Sequence, residues 1–231
     1  MSKKKNDKAG VRVEGVEQAL TRAEQLIETY QKQIVWVVGV ILGIVVLYMA
    51  FHRFYLEKKT QEAAAQMFPA EQYFENDDWQ RALDGDGNNL GFVDIISDYR
   101  LTSSANLAKY YAGICCLRIN EYEDAISYLS KFKSKDKILS SIALGSIGDA
   151  YAQLDEPEKA VKFYKKAATR KSNDFTSPLY LLRAGILLEN EGNLKEAGEL
   201  YERIKTDYAV STEGRTIDKY IARVKAKQNN D

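Results

Sequence analysis

The pattern of apolar and polar positions divides the chain into three stretches. Residues 34–51, IVWVVGVILGIVVLYMAF, carry no charge over eighteen positions. At about 1.5 Å of rise per residue, a helix of that length nearly crosses a hydrocarbon layer of roughly 30 Å. Phe54, Tyr55 and Leu56 extend it if His52 and Arg53 snorkel towards the interface. Trp36 near one end, and Tyr48, Phe51, Phe54 and Tyr55 near the other, match interfacial aromatic belts. Upstream, Val13, Val16, Leu20, Ala23, Ile27, Tyr30 and Ile34 alternate spacings of three and four, a heptad seam that leads into the apolar run. That seam fits a parallel coiled-coil dimer, an amphipathic helix lying on a membrane surface, or a solvated helix. Nothing downstream is as apolar, so the run has no counterpart to pack against in a soluble core. The pattern predicts a tail with an amphipathic helix over 1–33, a single transmembrane anchor over 34–56, and a folded domain over 60–228.

Within that domain a period emerges. Gly113, Gly148 and Gly185 are 35 and 37 residues apart, and Ala125, Ala160 and Ala197 each follow their glycine by twelve. Leu129, Tyr164 and Tyr201 come four residues after those alanines, and Phe132, Ala167 and Ile204 three further on. Three offsets shared by three copies predict one helical hairpin per copy. The small residues lie where helix A crosses helix B, and the later large ones pack onto the neighbouring copy. Asn120 with Glu123, and Asp155 with Glu158, read as capping boxes that open two B helices. Ser177 and Pro178 read as the start of an A helix, and Gly192 as its end. Ala70, Tyr73 and Ala82 keep the offsets of a degenerate fourth copy without its glycine. The stretch ALDGDGNNLGFVDIISDYRLTSSA then reads as an enlarged connection, with helix A resuming near Asn106. Ile217, Tyr220, Ile221 and Val224 stripe a C-terminal helix that should cap the last copy.

This pattern resembles the tetratricopeptide repeat. The copy LGSIGDAYAQLDEPEKAVKFYKKA holds Leu144, Gly148, Tyr151, Ala160, Tyr164 and Ala167 at motif positions. Cys116 and Leu188 stand where the other two copies would favour tyrosine, and the late proline is missing from all three. The resemblance implies an all-α, TPR-like α-solenoid of three clear repeats and one degenerate repeat. Stacked A helices would then form a concave, protein-binding face. By motif register Leu107, Tyr110, Tyr111, Ile114 and Leu117 approach it in one copy, and Leu179, Leu182, Arg183 and Ile186 in another. These apolar positions suit an extended or helical peptide. Repeat proteins that clamp a chaperone's C-terminal carboxylate use lysine and asparagine where Tyr110 and Ile114 stand, so that clamp is absent.

Composition narrows the classes of function. With 33 basic and 33 acidic residues the formal charge is zero, and no basic surplus asks for nucleic acid. The one histidine, His52, lies at the membrane edge, so histidine base chemistry in the domain is excluded. No glycine-rich phosphate loop is present. Cys115 and Cys116 are adjacent and read as small apolar residues, since neighbouring cysteines bridge poorly. Asp84, Asp86 and Asn88 mimic the start of an EF-hand. The glycine and bidentate glutamate positions hold Asn89 and Ile95, so the stretch reads as a turn. The expectation is a protein that is not an enzyme and uses neither metal nor cofactor.

Gly39 and Gly43 form G-x-x-x-G within the apolar run, a spacing that lets two membrane helices approach closely and adds to the homodimer reading. The tail carries Lys3, Lys4, Lys5, Lys8, Arg12, Arg22 and Lys32, which orients it towards the cytoplasm, with the domain across the membrane. Basic tail, amphipathic helix, anchor and helical repeats in that order, with a local VGVILG match, resemble the bacterial ancillary SecYEG translocon subunit family, also called YfgM-like. That resemblance implies an inner-membrane protein with a periplasmic repeat domain. Its partners would be SecYEG, periplasmic chaperones or proteins emerging from the channel. An envelope-complex assembly scaffold unrelated to secretion, and an import receptor of opposite orientation, are the alternative readings.

Overall fold

A computed structural model describes residues 30–33 and 35–229. The basic tail and the heptad positions Val13 to Ile27 and Ile34 lie outside the described residues. The chain divides into two compact units, Met1–Glu57 and Lys58–Asp231. In the first, residues 35–50 are helical and a π-helical turn spans Phe51–Leu56. This stretch belongs to the one helix, among the described residues, that is long and apolar enough to cross a membrane, and none of its apolar window is buried. A Cβ added at Gly39 or Gly43 would meet nothing within 4 Å.

The second unit is all-α. Its helices are α1 Glu57–Glu75, α2 Trp79–Asp84, α3 Phe92–Asp98, α4 Ser103–Arg118, α5 Tyr122–Lys131 and α6 Lys137–Gln153. They continue with α7 Pro157–Thr169, α8 Thr176–Asn190, α9 Leu194–Asp207, a 3₁₀ turn Gly214–Thr216 and α10 Asp218–Gln228. Four A–B hairpins result: α1/α2, α4/α5, α6/α7 and α8/α9.

One turn closes all four hairpins. Asp77, Asn120, Asp155 and Gly192 have φ of 60°, 67°, 57° and 77°, and each precedes its copy's alanine by five residues. The next residue sends its N–H back to the A helix: Asp78 to Tyr73 O (2.9 Å), Glu121 to Cys116 O (2.8 Å), Glu156 to Tyr151 O (2.9 Å) and Asn193 to Leu188 O (2.8 Å). This is a Schellman closure. It overturns the two expected capping boxes, because Asn120 and Asp155 end A helices instead of opening B helices. The position demands a left-handed backbone, which Asn and Asp tolerate better than other non-glycine residues. Glu121 and Glu156 are the actual N-caps, without a side-chain bond. Asp78 and Asn193 do cap, accepting from Arg81 N and Glu196 N at 3.3 Å each. The recurrence at Asp77 identifies α1/α2 as the degenerate repeat.

The glycine sits against the large B-helix residue of its own copy. A Cβ at Gly113 would lie 2.5 Å from Leu129 Cγ, and one at Gly148 2.7 Å from the Tyr164 ring. One at Gly185 would overlap the Tyr201 ring. Leu129, Tyr164 and Tyr201 therefore fill their own crossing first. Tyr164 also reaches the next copy, stacking on Tyr180 at 6.2 Å. In the degenerate repeat Ala70 takes the glycine's place and is fully buried with Ala82.

The enlarged connection contains a helix that the periodicity did not reveal. Gly85 (φ 82°) and Leu90 form an isolated antiparallel bridge, and α3 then buries Phe92 and Ile95 completely. At seven residues it is too short to show a period of its own. Helix α4 starts at Ser103, where Thr102 accepts from Ala105 N at 3.1 Å. Pro178 falls in the first turn of α8, where its missing N–H has no intrahelical partner to lose.

The buried side chains form two large clusters and a small one. One joins α1–α5 around Phe92, the other joins α7–α10 around Tyr201, and Leu129, Ala143 and Ile147 form the third between them. The cap helix α10 inserts Ile221 and Val224. It is latched by Glu189, whose side chain is 2% exposed. Glu189 accepts from Arg223 Nε and Nη2 at 2.7 Å each, from Lys227 Nζ at 2.9 Å and from Tyr201 Oη at 3.1 Å. Burial alone would raise its pKa. The bonds from Arg223, Lys227 and Tyr201 outweigh it and hold the carboxyl at about 2, below the ordinary 4.5.

Two outcomes follow from this packing. Gly148→Ala is expected to cost about 1–3 kcal/mol, because the Tyr164 ring must move. Gly198→Ala, where a Cβ would meet Val224 at an ordinary 3.6 Å, should stabilise by about 0.5–1 kcal/mol through helix propensity. Urea unfolding followed by circular dichroism checks both. The same measurement checks Glu189→Gln, expected to cost about 2–3 kcal/mol by leaving cations without their buried anion. A carboxyl with a depressed folded pKa stabilises fully above its unfolded value, so the wild-type advantage over Glu189→Gln should fade as pH falls from about 4.5 towards about 2.

Candidate interaction surfaces

The A helices place the nine expected binding residues in four different settings. On α4, Leu107, Tyr111 and Leu117 pack against the α1–α5 core, while Tyr110 and Ile114 pack against the small middle cluster. Tyr111 stacks on Phe92 at 5.0 Å and meets Phe74 edge-on at 4.9 Å. Tyr110 tilts onto Phe132 at 5.4 Å. Burial pushes both phenols above their ordinary range. On α8, Leu179 and Leu182 pack against the α7–α10 core. Arg183 is exposed and Ile186 half-buried.

Three of these residues line two small recesses. One, of about 280 Å³, lies among Ala152, Tyr164, Arg183, Ile186 and Leu187. The other, of about 310 Å³, lies among Leu117, Arg118, Asn120, Tyr122 and Gln153. Asp149 lines both. It accepts from Tyr164 Oη at 2.7 Å and forms an ion pair with Arg183. Burial first, and then Asp149, push the Tyr164 phenol well above its ordinary range, and burial pushes Tyr180 up to about 12. Both therefore remain protonated donors at neutral pH. Asp149 escaped the sequence reading, although it is the sole carboxylate in α6. Gly145 escaped it too: a Cβ there would overlap the Tyr180 ring, so this glycine sets the approach of α6 to α8.

A larger hollow, of about 540 Å³, lies elsewhere. The end of α5, the strap 132–136, α6 and α7 surround it, and none of the nine expected residues lines it. On α6 it takes Ser140, Ala143, Leu144 and Ile147, while the recesses take Asp149, Ala152 and Gln153. At about 100° per residue these two sets occupy opposite faces of the helix.

The remaining candidate chemistry is used structurally. The Asp86 carboxylate accepts from Tyr73 Oη (2.7 Å), Asn88 N (2.8 Å), Asn89 N (2.7 Å) and Asn89 Nδ2 (2.9 Å), organising the turn before α3. Those bonds, the one from Tyr73 foremost, hold it well below the carboxylate range. Cys115 and Cys116 are buried thiols pushed up to about 12 by burial, far from the reactive thiolate form.

Residues 142–174, which cover most of α6 and all of α7, match the tetratricopeptide repeat family. No curated protein matches the chain. Among solved structures, the TPR-like repeats of a Podosopora anserina kinesin light chain superimpose with a TM-score of 0.54 at 13% identity. That match covers 74% of this chain and 88% of the other. The domain is thus an all-α, TPR-like helical-repeat solenoid, a fold that typically serves as a non-catalytic scaffold for protein–protein interaction.

Tyr111 and Arg183 should behave differently. Tyr111→Ala is expected to cost about 2–4 kcal/mol, since it empties the space between Phe74 and Phe92. Arg183→Ala, which loses only a partly exposed pair, should cost under about 1 kcal/mol. Thermal unfolding of the two variants checks the contrast.

Proposed function

We propose that this protein is a membrane-anchored TPR scaffold that holds protein clients at the bacterial cell envelope, beside the Sec translocon. The observation that carries the reading is the union of two features in one chain. A long apolar helix, unburied by its own chain, precedes a repeat domain of an interaction fold. One anchor helix would confine the domain to a single membrane face and raise its effective concentration near chains leaving a channel. The basic tail favours a cytoplasmic N-terminus and a periplasmic domain. The order of tail, anchor and repeats supports the likeness to the ancillary translocon subunits.

The client surface is proposed to be the face around Asp149, where Leu117, Arg183 and Ile186 leave two recesses side by side. It has few charged anchors, so single contacts would be weak, and confinement would supply much of the occupancy.

Topology and partnership are tested together. The native thiols are buried, so an introduced Lys4→Cys or Lys195→Cys reports labelling alone. In intact spheroplasts an impermeant maleimide is expected to label Lys195→Cys and spare Lys4→Cys, and the reverse pattern overturns the orientation. Full-length protein purified in mild detergent is expected to bring channel subunits with it. Their reproducible absence, with another envelope complex in their place, overturns the translocon reading. Arg183→Ala should weaken client crosslinking while the melting temperature falls by no more than about 2–4 °C.

A further inference from the structure

We propose that the hollow between α5 and α7 is a second docking site, one that takes an acidic amphipathic helix. The inference rests on the scaffold reading but places this partner on the opposite face of α6 from the Asp149 recesses.

The hollow arises from a missing turn. Helix α5 has 10 residues, whereas α7 has 13 and α9 has 14. After Lys131 the backbone turns extended, with Phe132 at φ −71° and ψ 137°. The side chains that another turn would lay against α7 are therefore absent. What remains is an apolar floor of Phe132, Leu144, Ile147 and Phe163. The strap that walls it is fixed from two sides. Asn106 on α4 donates to Lys133 O at 2.7 Å and accepts from Lys133 N at 3.1 Å, and Lys171 donates to Lys135 O. A wall held this way is preformed, which reduces the ordering cost of binding.

The rim fixes the sign of the partner. Lys133, Lys135 and Arg170 line the hollow. Lys131, Lys137 and Lys171 flank them in the chain. The only carboxylate in 131–137 or 165–172 is Asp136, and its Oδ1 is occupied as the N-cap of α6, accepting from Leu139 N at 2.7 Å. Among the described residues none of these six cations is in an ion pair. Elsewhere in the domain Lys159, Lys165, Arg183, Lys205, Arg223 and Lys225 each are. In a chain of zero formal charge, this is an uncompensated positive patch around an apolar floor. Its volume is several times that of one large side chain, which suits neighbouring apolar residues on one helix face. A flat anionic membrane would meet the rim but leave the concave floor empty.

The test uses the full-length chain in a neutral detergent and fluorescence anisotropy of labelled synthetic peptides. The probe is a helix with leucines at i, i+3, i+4 and i+7 and glutamates elsewhere. It is expected to bind with a roughly micromolar Kd that weakens as salt rises. Lys133→Glu/Lys135→Glu/Arg170→Glu, all exposed side chains, should weaken it by roughly tenfold or more at an unchanged melting temperature. Ala143→Leu, which fills the hollow, should do the same at low and high salt alike. If either variant binds the probe as the wild type does, the assignment is overturned. Equal binding of oligoglutamate without leucines, or of the same leucine helix with glutamines for glutamates, also overturns it. So does failure of the probe to bind while a fluorophore on Lys135→Cys is quenched only in phosphatidylglycerol nanodiscs, since the patch would then face lipid. Arg183→Ala should leave probe affinity unchanged, which separates this site from the client surface. Clients captured without probe binding sink only the hollow, and probe binding without captured clients sinks only the client reading.

Discussion

Three of the four hairpins depend on one close approach, the absence of a Cβ where helix A meets a large side chain from helix B, and in the degenerate hairpin the small Ala70 stands there instead. At Gly148 that space holds the Tyr164 ring, at Gly185 the Tyr201 ring and at Gly113 the Leu129 side chain. The rest of the architecture follows from it. With the helices this near, the turn between them is short, and it closes through one left-handed residue and one returning N–H in all four copies. The filling rings then face outward enough to serve the next copy. Tyr164 reaches both Asp149 and Tyr180, and Tyr201 reaches Glu189 and Tyr220. A single steric constraint thereby couples packing within a repeat to packing between repeats.

The stacking is uneven, and the surfaces lie where it is uneven. The buried core separates into an α1–α5 cluster and an α7–α10 cluster, joined through three small or medium side chains. Helix α6 stands at this joint. One of its faces carries the Asp149 recesses and the opposite face borders the large hollow. At its two ends the solenoid is closed differently. Helix α3 wedges Phe92 and Ile95 into the first core, whereas α10 is held by apolar insertion and by the charge latch at Glu189. A buried carboxylate with two cations is satisfied in only one register, so the latch specifies where the cap sits as well as stabilising it.

Electrostatics sets the character of the two proposed docking faces. At the recesses, Asp149 and Arg183 neutralise each other, leaving a surface that distinguishes partners by shape. At the hollow, no carboxylate is among the lining residues and Asp136 of the strap is engaged as the α6 N-cap, leaving a surface that distinguishes partners by sign. A scaffold with both can hold two different partners on one rigid helix.

The sequence by itself determined the apolar run, the repeat period and the cap. Each is a local regularity: an eighteen-residue stretch without charge, a glycine–alanine–large offset recurring three times, and a stripe of Ile217, Ile221 and Val224. The degenerate copy was legible through Ala70, Tyr73 and Ala82 because alanine can nearly replace glycine at the crossing. Four features needed the tertiary structure. Asn120 and Asp155 look like N-caps in sequence, since the same side chains favour caps and left-handed turns, and only the backbone course distinguishes the two. The short helix α3 has too few residues to display a period. Of the nine expected groove residues, Tyr111 is drawn into the core by Phe74 and Phe92, because motif register gives a helix face but not what lies against it. The hollow was invisible for the same reason. It is formed by a turn that α5 lacks, and an absence of side chains becomes a site only when the neighbouring helices are seen to leave the space open.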